Sequence, residues 1–390
     1  MEVLVTDGSY KHTLAIVRSL GKRGINVSVM ATEKCPLAST SKYCQAAVIS
    51  PGYHNEAAFV EFLLSFLQNK RFSLLIPVGY KAVEIISKYK IELDKYTSVE
   101  LPPIEQVSIC LNKKRTYQLA HQLGIPSPVT FYPQDQDEVA EKATGLQYPV
   151  VIKAMREAGG NTITYAFHHD EFIAKYQDMC LKHHFSEPEL PMVQEYIRGP
   201  GYGFFALYQQ GICKKVFMHR REREFPVTGG ASIAAVSVYD EKLKACGKKL
   251  LDALNWHGVA MVEFKLDKAD NQFKLMEINP KIWGSLDLAI AAGVDFPYDL
   301  ARMSRGEPVE YSEEYIRGLR YQWPIEDLIC VKSHPSYFWP FFKDLCNFKV
   351  KKNITMRDLN PAFHYLFTLL GKMIMGQKSN LAGGGPLNQC

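Results

Sequence analysis

Two glutamates that a predicted β-hairpin brings together are the residues of this chain best suited to chemistry. Apolar-rich runs at 259–266 and 273–278 flank a polar turn, which is the pattern of two antiparallel strands. A turn centred on residue 270 sets Glu263 opposite Glu277. Like charges facing each other across such a pair are destabilising, and at about 5 Å with an effective dielectric constant of about 20 the repulsion is roughly 3 kcal/mol. The pairing therefore favours a bound cation.

An asparagine adds a neutral oxygen to this pair. Asn279 lies two residues beyond Glu277 and points to the same face of the strand. Magnesium typically takes one or two carboxylates together with substrate phosphates and waters, so the cluster indicates a metal–nucleotide site. The alternative is a solvated sheet face, the ordinary position of strand carboxylates.

A lysine at the end of an apolar strand precedes a glycine-containing turn. Lys153 ends the run 148–153, and the turn at 156–161 leads into the next strand. Backbone N–H groups in such a turn can form an anion-binding concavity, while the lysine adds a positive charge. The pattern is typical of a phosphate site, although a plain hairpin turn beside an exposed lysine has the same pattern.

Two further segments could contact a nucleotide or an acid. The strand at 193–197 offers backbone groups that could pair with adenine, with an ordinary strand as the alternative. In the segment 218–230, Arg221 and Arg223 fall on one side of an extended chain, and guanidinium groups match carboxylate or phosphate oxygens. A solvated charge run with local ion pairs is the alternative there.

The composition is that of an ordinary globular protein. A length of 390 residues, with 47% apolar and 22% charged residues, allows two or three domains. A formal net charge of +5 is modest, so no nucleic-acid partner is expected. Nine scattered cysteines without a CxxC pair argue against a disulfide framework and a zinc site. Since neither a signal peptide nor an apolar run of membrane-spanning length is apparent, a cytoplasmic location is expected.

The order of predicted elements indicates a mixed fold class. Strands and helices alternate up to about residue 101, which predicts a parallel sheet in a Rossmann-like domain. The first turn, at 7–10, lacks GxGxxG spacing, so no NAD site is assigned to it. A helix at 106–123 then leads into an α+β pattern. Beyond about residue 310 the chain becomes aromatic-rich and basic.

Taken in order, these parts resemble the ATP-grasp superfamily, most closely the carbamoyl-phosphate-synthetase-like branch of carboxylate-amine ligases. The parts are a lysine-bearing helix, the strand lysine, the glycine loop, the QEYI strand and the glutamate pair ending in MEINP. The resemblance covers roughly residues 1–300. It implies a combined α/β and α+β fold with three parts: a Rossmann-like parallel-sheet domain at 1–105, a two-lobed ATP-grasp domain at 106–310 (lobes 106–190 and 191–310) and a mostly helical C-terminal extension at 311–390.

The resemblance also implies roles for individual residues. The lysines would hold ATP phosphates, the glycines would cover them, and the backbone at 195 and 197 would bracket adenine; the implied nucleotide-binding residues are Lys113, Lys153, Gly159, Gly160, Gln194, Glu195, Tyr196 and Ile197. The implied ligands for Mg²⁺, with Mn²⁺ as an alternative, are Glu263, Glu277 and Asn279. The implied catalytic residues are Arg221, Arg223 and Lys281. Related ligases usually carry Arg at the last of these positions, and the loss of its bidentate fork changes that contact. Relatives often place an acidic residue for the ribose after the hinge, whereas 199–203 has none.

The implied function is an ATP-dependent carboxylate-amine ligase that forms an amide or peptide bond through an acyl phosphate, releasing ADP and phosphate. Its substrates would be a small carboxylate and an amine, with an amino acid or short peptide first, and a homodimer would be ordinary for the superfamily. Two alternatives stay open: an ATP-dependent carboxylase that uses bicarbonate, and a nucleotide-binding regulatory protein without catalysis.

A helix with an apolar face is expected near the C-terminus. Residues 364–375 have helical spacing and basic flanks, which would suit a membrane surface. Packing onto the body of the protein or onto a sister subunit is the favoured interpretation, so no membrane contact is expected.

Overall fold

The chain folds into two compact units, each built from segments that are distant in sequence. The computed structural model describes residues 1–156, 162–187, 189–226 and 229–374, with side chains up to residue 371. Unit 1 comprises Met1–Val107, Tyr202–Met261 and the chain from Asn279 onward. Unit 2 comprises Ser108–Gly201 and Val262–Ile278.

A parallel sheet forms the N-terminal part of unit 1. Its region contains β1 (Glu2–Val5), α1 (Lys11–Gly21), β2 (Asn26–Ala31), β3 (Cys44–Ile49), α2 (Glu56–Asn69), β4 (Leu74–Ile76), α3 (Tyr80–Lys88) and α4 (Lys90–Leu93), followed by α5 (Ile104–Leu111). The strands run parallel in the order β3-β2-β1-β4. The central strands are apolar and almost fully buried, as expected for a parallel sheet that helices cover.

An antiparallel sheet forms the core of unit 2. The elements are α6 (Lys113–Gln122), β5 (Thr130–Phe131), α7 (Gln136–Ala143), β6 (Val150–Lys153), β7 (Ile163–Ala166), α8 (His169–His183) and β8 (Met192–Glu195). The four strands are ordered β5-β8-β6-β7. Phe172 and Tyr176 of α8 pack with Val150 and Ile152 of β6 in one buried cluster. This packing fixes the strand that ends at Lys153.

A third, larger sheet is mixed and contains the predicted hairpin. The remaining elements are β9 (Gly201–Gln209), β10 (Ile212–Phe225), β11 (Ala231–Ser237), α9 (Glu241–Ala253), β12 (Gly258–Leu266), β13 (Phe273–Asn279), α10 (Leu286–Ala292), α11 (Phe296–Met303), β14 (Arg320–Gln322), α12 (Pro324–Ser333), α13 (Phe338–Cys346), β15 (Lys351–Lys352) and α14 (Asn360–Ile374). The strand order is β13-β12-β9-β10-β11-β14-β15. β9 to β11 pair antiparallel, whereas β14 and β15 pair parallel. The turn between β12 and β13 is closed by a hydrogen bond from Asp267 N to Gln272 O at 2.9 Å.

The C-terminal part of the chain is integrated into unit 1. Arg18 of α1 is buried, and its Nε lies 2.8 Å from Asp358 Oδ2, just before α14. The same guanidinium donates to Asn353 O at 2.7 Å. Because a buried charge is tolerated only when it is paired, this contact ties the C-terminal segment to the N-terminal sheet region.

The predicted fold class is confirmed, whereas one predicted helix is wrong. The structure has the parallel N-terminal sheet, the larger mixed sheet and a helical C-terminal part. The single helix expected at 106–123 is instead two helices, α5 and α6. Asn112 ends the first helix and caps the second, because its side-chain Oδ1 accepts a hydrogen bond from Arg115 N at 3.1 Å.

The domain boundaries inferred from the sequence stay a prediction. Among the described residues, no helix has both the length and the apolar composition needed to span a membrane.

Candidate functional site

A cluster of charged side chains lies in unit 2 where β6 ends. Lys153, the last residue of β6, interacts electrostatically with Glu263 of β12 and Glu277 of β13, and also with Lys113 and Lys265. β12 and β13 are neighbouring strands of one sheet. We call these five residues the Lys153 cluster. It unites two lysines and two carboxylates that the sequence had singled out.

The ammonium of Lys153 is held in an unfavourable environment. Burial lowers its pKa from 10.5 to about 8, with a further lowering by Lys113 that Glu277 opposes. Its Nζ donates to Gln194 Oε1 at 2.8 Å, and Gln194 Nε2 in turn donates to Thr130 Oγ1 at 2.9 Å. A lowered lysine pKa means that the surroundings do not compensate the positive charge, and a bound anion would do so.

Hydrogen bonds fix the other elements that carry the cluster. Lys113 is buried at the start of α6, and its backbone N donates to Met155 O at 2.9 Å, just beyond β6. Four residues later, Tyr117 Oη donates to Met276 O at 2.6 Å, beside Glu277. Burial raises the pKa of Tyr117, so its hydroxyl stays a neutral donor. Helix α6 is thereby attached to the chain just beyond β6 and to β13, the strands that carry Lys153 and Glu277.

The donor set fits a magnesium nucleotide. Mutual repulsion among the lysines is relieved by a polyanion, and that between the carboxylates by a divalent cation. Carboxylate oxygens are the hard ligands that Mg²⁺ prefers, and lysine ammonium groups act as point charges on phosphate. Within the described ranges, no group of three or more His, Cys, Asp or Glu side chains is arranged to hold a metal ion. Of the five residues in the cluster, Glu263 and Glu277 are the two that could hold a cation, with other ligands supplied by phosphate and water.

Comparison with known proteins agrees with this chemistry. The family model described as "ATP-grasp in the biosynthetic pathway with Ter operon" matches residues 187–326. A D-aspartate ligase from Enterococcus faecium (strain Aus0004) is 24% identical over 294 residues, covering 70% of this chain and 69% of the relative. The chain belongs to the ATP-grasp superfamily. It is an ATP-grasp ligase, of the class that forms carbon–nitrogen bonds.

Solved structures share the ATP-grasp fold. A biotin carboxylase from Campylobacter jejuni superposes with a TM-score of 0.66 at 16% identity, covering 82% of this chain and 74% of that chain. An L-amino acid ligase from Bacillus licheniformis gives a TM-score of 0.63 at 17% identity, covering 82% of this chain and 77% of that chain. At such low identity the likeness concerns the fold alone.

The QEYI segment of this ATP-grasp chain lies beside the Lys153 cluster. Gln194 reaches Lys153 directly, and Lys265 Nζ lies 5.3 Å from the centroid of the Tyr196 ring. Glu195 N donates to Val129 O at 2.9 Å, which holds the end of β8 in place. Adenine recognition by the backbone of this segment stays a prediction.

The turn after the QEYI segment requires a glycine. A Cβ atom on Gly199 would lie 1.8 Å from Leu266 O, so the backbone approaches β12 too closely for any side chain. Next to it, Lys268 N donates to Arg198 O at 2.9 Å. The absence of an acidic side chain from 199–203 is therefore partly a packing requirement. Gly159 and Gly160, expected to cover the phosphates, lie outside the described residues.

The two arginines of β10 differ in their surroundings. The β10–β11 register shifts on both sides of Arg223, so the expected simple alternation with Arg221 does not hold. Arg223 is buried, with Nη2 2.6 Å from Asp327 Oδ2 and Nη1 2.8 Å from Asp344 Oδ2. Arg221 Nη1 lies 3.4 Å from Glu224 Oε2, which is the local pairing weighed as an alternative. The guanidinium of Arg223 thus joins β10 to α12 and α13, and its catalytic role stays a prediction.

Arg223→Met is expected to destabilise the protein by about 3–5 kcal/mol, because it removes the guanidinium that pairs with buried Asp327 and, beside Arg320, with buried Asp344. Urea unfolding would measure this, with Arg220→Met as the matched control, since Arg220 is exposed on the same strand. The control should stay within about 0.5 kcal/mol of the wild type. Equal stability of the two variants would contradict a structural role for Arg223.

Two other predicted residues contact the N-terminal sheet region within unit 1. Tyr80 Oη donates to Asn279 Oδ1, and Lys281 Nζ lies 4.4 Å from the centroid of the Tyr80 ring. Burial lowers the pKa of His12 well below its ordinary value, and Lys281 lowers it further, so the imidazole is neutral at pH 7. The N-terminal region therefore shapes the surroundings of Asn279 and Lys281.

Three residues of the site were missed by sequence reasoning. Lys265 stands two positions after Glu263 and so on the same face of β12, a signal that could have been read. Tyr117 stands four positions after Lys113, on the same side of a helix. Tyr80 has no local signal, because only the tertiary fold brings it to Asn279.

Proposed function

We propose that this chain is an ATP-dependent ligase that joins the carboxylate of an amino acid or short peptide to an amine through an acyl phosphate. The observation that carries the proposal is the Lys153 cluster, found in a chain similar over most of its length to a D-aspartate ligase. Both that relative and the L-amino acid ligase have names that denote amino-acid substrates.

In the cluster, the positively charged residues would bind phosphate and the negatively charged residues would bind the metal. Lys113 and Lys153 orient and neutralise phosphate oxygens, and Glu263 and Glu277 hold the metal, with Asn279 at the end of the same strand as a neutral ligand. When bound, magnesium ATP supplies the phosphoryl group that activates the carboxylate. Catalysis by these residues is positioning and charge neutralisation, and it needs no covalent nucleophile.

The bond changes follow from this chemistry. A carboxylate oxygen bonds to the γ-phosphorus while the bond to the bridging oxygen breaks, which releases ADP. The amine nitrogen then bonds to the acyl carbon, the carbon–oxygen bond to phosphate breaks, and the amine loses a proton. Arg221 and Lys281 are the cationic residues proposed to handle the carboxylate and the acyl phosphate.

A substrate panel tests the proposal. ADP release should require both a carboxylate and an amine, and mass analysis should find a product equal to their sum less one water. D- and L-amino acids, dipeptides and ammonia form the first panel. ADP release that depends on bicarbonate instead would identify a carboxylase, and ATP binding without turnover on any substrate pair would identify a regulatory protein.

Binding of ATP is expected to take up protons near pH 8. Since the pKa of Lys153 is about 8 without ligand, roughly half of its side chains are neutral at that pH, and a bound anion raises the pKa. Affinity should therefore fall as the pH rises through 8. Calorimetry in buffers of different ionisation enthalpy would detect an uptake of up to about half a proton. In Lys153→Arg the charge is permanent, so this uptake should vanish; its persistence would assign the proton to another group.

A further inference from the structure

Helix α13 presents an aromatic face to the outside. Phe338, Trp339 and Phe342 are exposed and lie together, with ring centroids 5.4 Å apart for Phe338–Trp339 and 6.1 Å for Phe338–Phe342. The exposed fraction of Trp339 is 73%. Phe341 and Asp344 on the other face are buried. Helix α13 thus already packs against the body through one face, and folding does not use the aromatic one.

Helix α14 also has an exposed apolar face. Phe363, Leu366, Phe367 and Leu370 follow helical spacing along one face, and all four are exposed. Leu369 is buried, so this helix also packs inward through a different face. The segment between the two helices adds side chains that are almost fully exposed, Phe348 at 98% and Met356 at 85%.

The exposed charges of the segment 328–371 are all positive. The exposed basic residues are Lys332, Lys343, Lys349, Lys351 and Arg357. The segment has two carboxylates, and both are buried in ion pairs, Asp344 with Arg223 and Asp358 with Arg18. Its surface therefore combines protruding apolar side chains with an uncompensated positive charge.

We propose that the 328–371 segment docks onto the surface of a membrane that contains anionic lipids. Aromatic and aliphatic side chains enter the boundary between head groups and acyl chains, while lysine and arginine bind the anionic head groups. This departs from the sequence-based expectation of no membrane contact. It is independent of the proposed ligase activity.

Other occupants of this surface fit less well. Two copies of a face that carries only positive exposed charges repel each other. A nucleic acid could stack on the exposed rings, but it offers no apolar phase for the exposed aliphatic side chains of Leu345, Leu366 and Leu370. The terminal stretch 375–390 contains no acidic residue and so lacks the complementary charge. A membrane with anionic head groups above an apolar interior matches both the exposed positive charges and the exposed apolar side chains of the segment.

Vesicle co-sedimentation with the full chain tests the proposal. The protein should bind vesicles of phosphatidylcholine mixed with phosphatidylglycerol at least about tenfold more tightly than pure phosphatidylcholine, and salt should weaken this binding. The paired variants Trp339→Ser/Phe342→Ser and Phe363→Ser/Phe367→Ser should each lose about tenfold in binding. Ile91→Ser is the matched control, because Ile91 is 81% exposed elsewhere in unit 1.

The changed residues are exposed, so thermal unfolding of all variants should match the wild type and confirm that they fold. Equal binding to both vesicle types would overturn the proposal, as would equal binding of the paired variants and Ile91→Ser. A concentration-dependent dimer that the paired variants dissociate, in a protein that does not sediment with vesicles, would assign the face to a sister subunit instead.

Discussion

Glu277→Ala is expected to lower ATP-dependent turnover by at least about 1000-fold while leaving the fold intact. The carboxylate lies in the Lys153 cluster together with Glu263, and a divalent ion held by this pair would neutralise phosphate oxygens. Under the proposed function, loss of this carboxylate removes a metal contact that is needed in the transition state. Steady-state ADP release measures the effect, and circular dichroism with urea unfolding verifies the fold.

Glu61→Ala is the control for this variant, because Glu61 is exposed on α2. Its turnover should equal that of the wild type. Normal ADP release by Glu277→Ala would rule out a metal role for this residue and with it the assigned function of the hairpin.

Lys153→Met is expected to weaken ATP binding by about 1.5–3 kcal/mol, which is roughly 10- to 150-fold, through loss of a charge-assisted contact with phosphate. The same change should not destabilise the fold. With the folded-state pKa lowered from 10.5 to about 8, the ammonium costs about 3 kcal/mol of folding free energy below pH 8, and this cost disappears as the pH rises from 8 to 10.5. Methionine removes the charge and hence the cost.

The combination of weaker binding and equal or greater stability separates a ligand-binding lysine from a structural one. Calorimetry with ATP and urea unfolding at pH 7 give the two quantities. Lys142→Met, at an exposed position on α7, should change neither. A variant of Lys153 that unfolds more easily yet binds ATP as tightly as the wild type would show that the lysine serves packing alone.

The sequence predicted those parts of the site that depend on local patterns. The hairpin, the glutamates on it and the lysine that ends β6 follow from apolar runs and a polar turn, and the structure unites them. The parallel N-terminal sheet follows in the same way from alternating strands and helices. Such patterns are visible along the chain because each element must bury at least one face.

What the sequence could not predict depends on distant contacts. The sequence alone does not distinguish the surroundings of Arg221 and Arg223 on β10. In the structure, Arg223 is buried against Asp327 and Asp344, which lie more than 100 residues later in the chain. The break at Asn112 required its cap geometry to be favoured over helix continuation. Helices α13 and α14 both have apolar residues on more than one side in the sequence. The packing of the rest of unit 1 decides which side of each helix is buried.

Binding of Mn²⁺ in place of Mg²⁺, followed by electron paramagnetic resonance with and without ATP, tests the central claim most directly. The claim is that Glu263 and Glu277 hold a divalent ion that accompanies the nucleotide. In the wild type, ATP should increase the amount of bound Mn²⁺, and Glu263→Gln/Glu277→Gln should lose this increase while keeping its fold. Equal ATP-dependent Mn²⁺ binding by the wild type and the double variant would contradict the account.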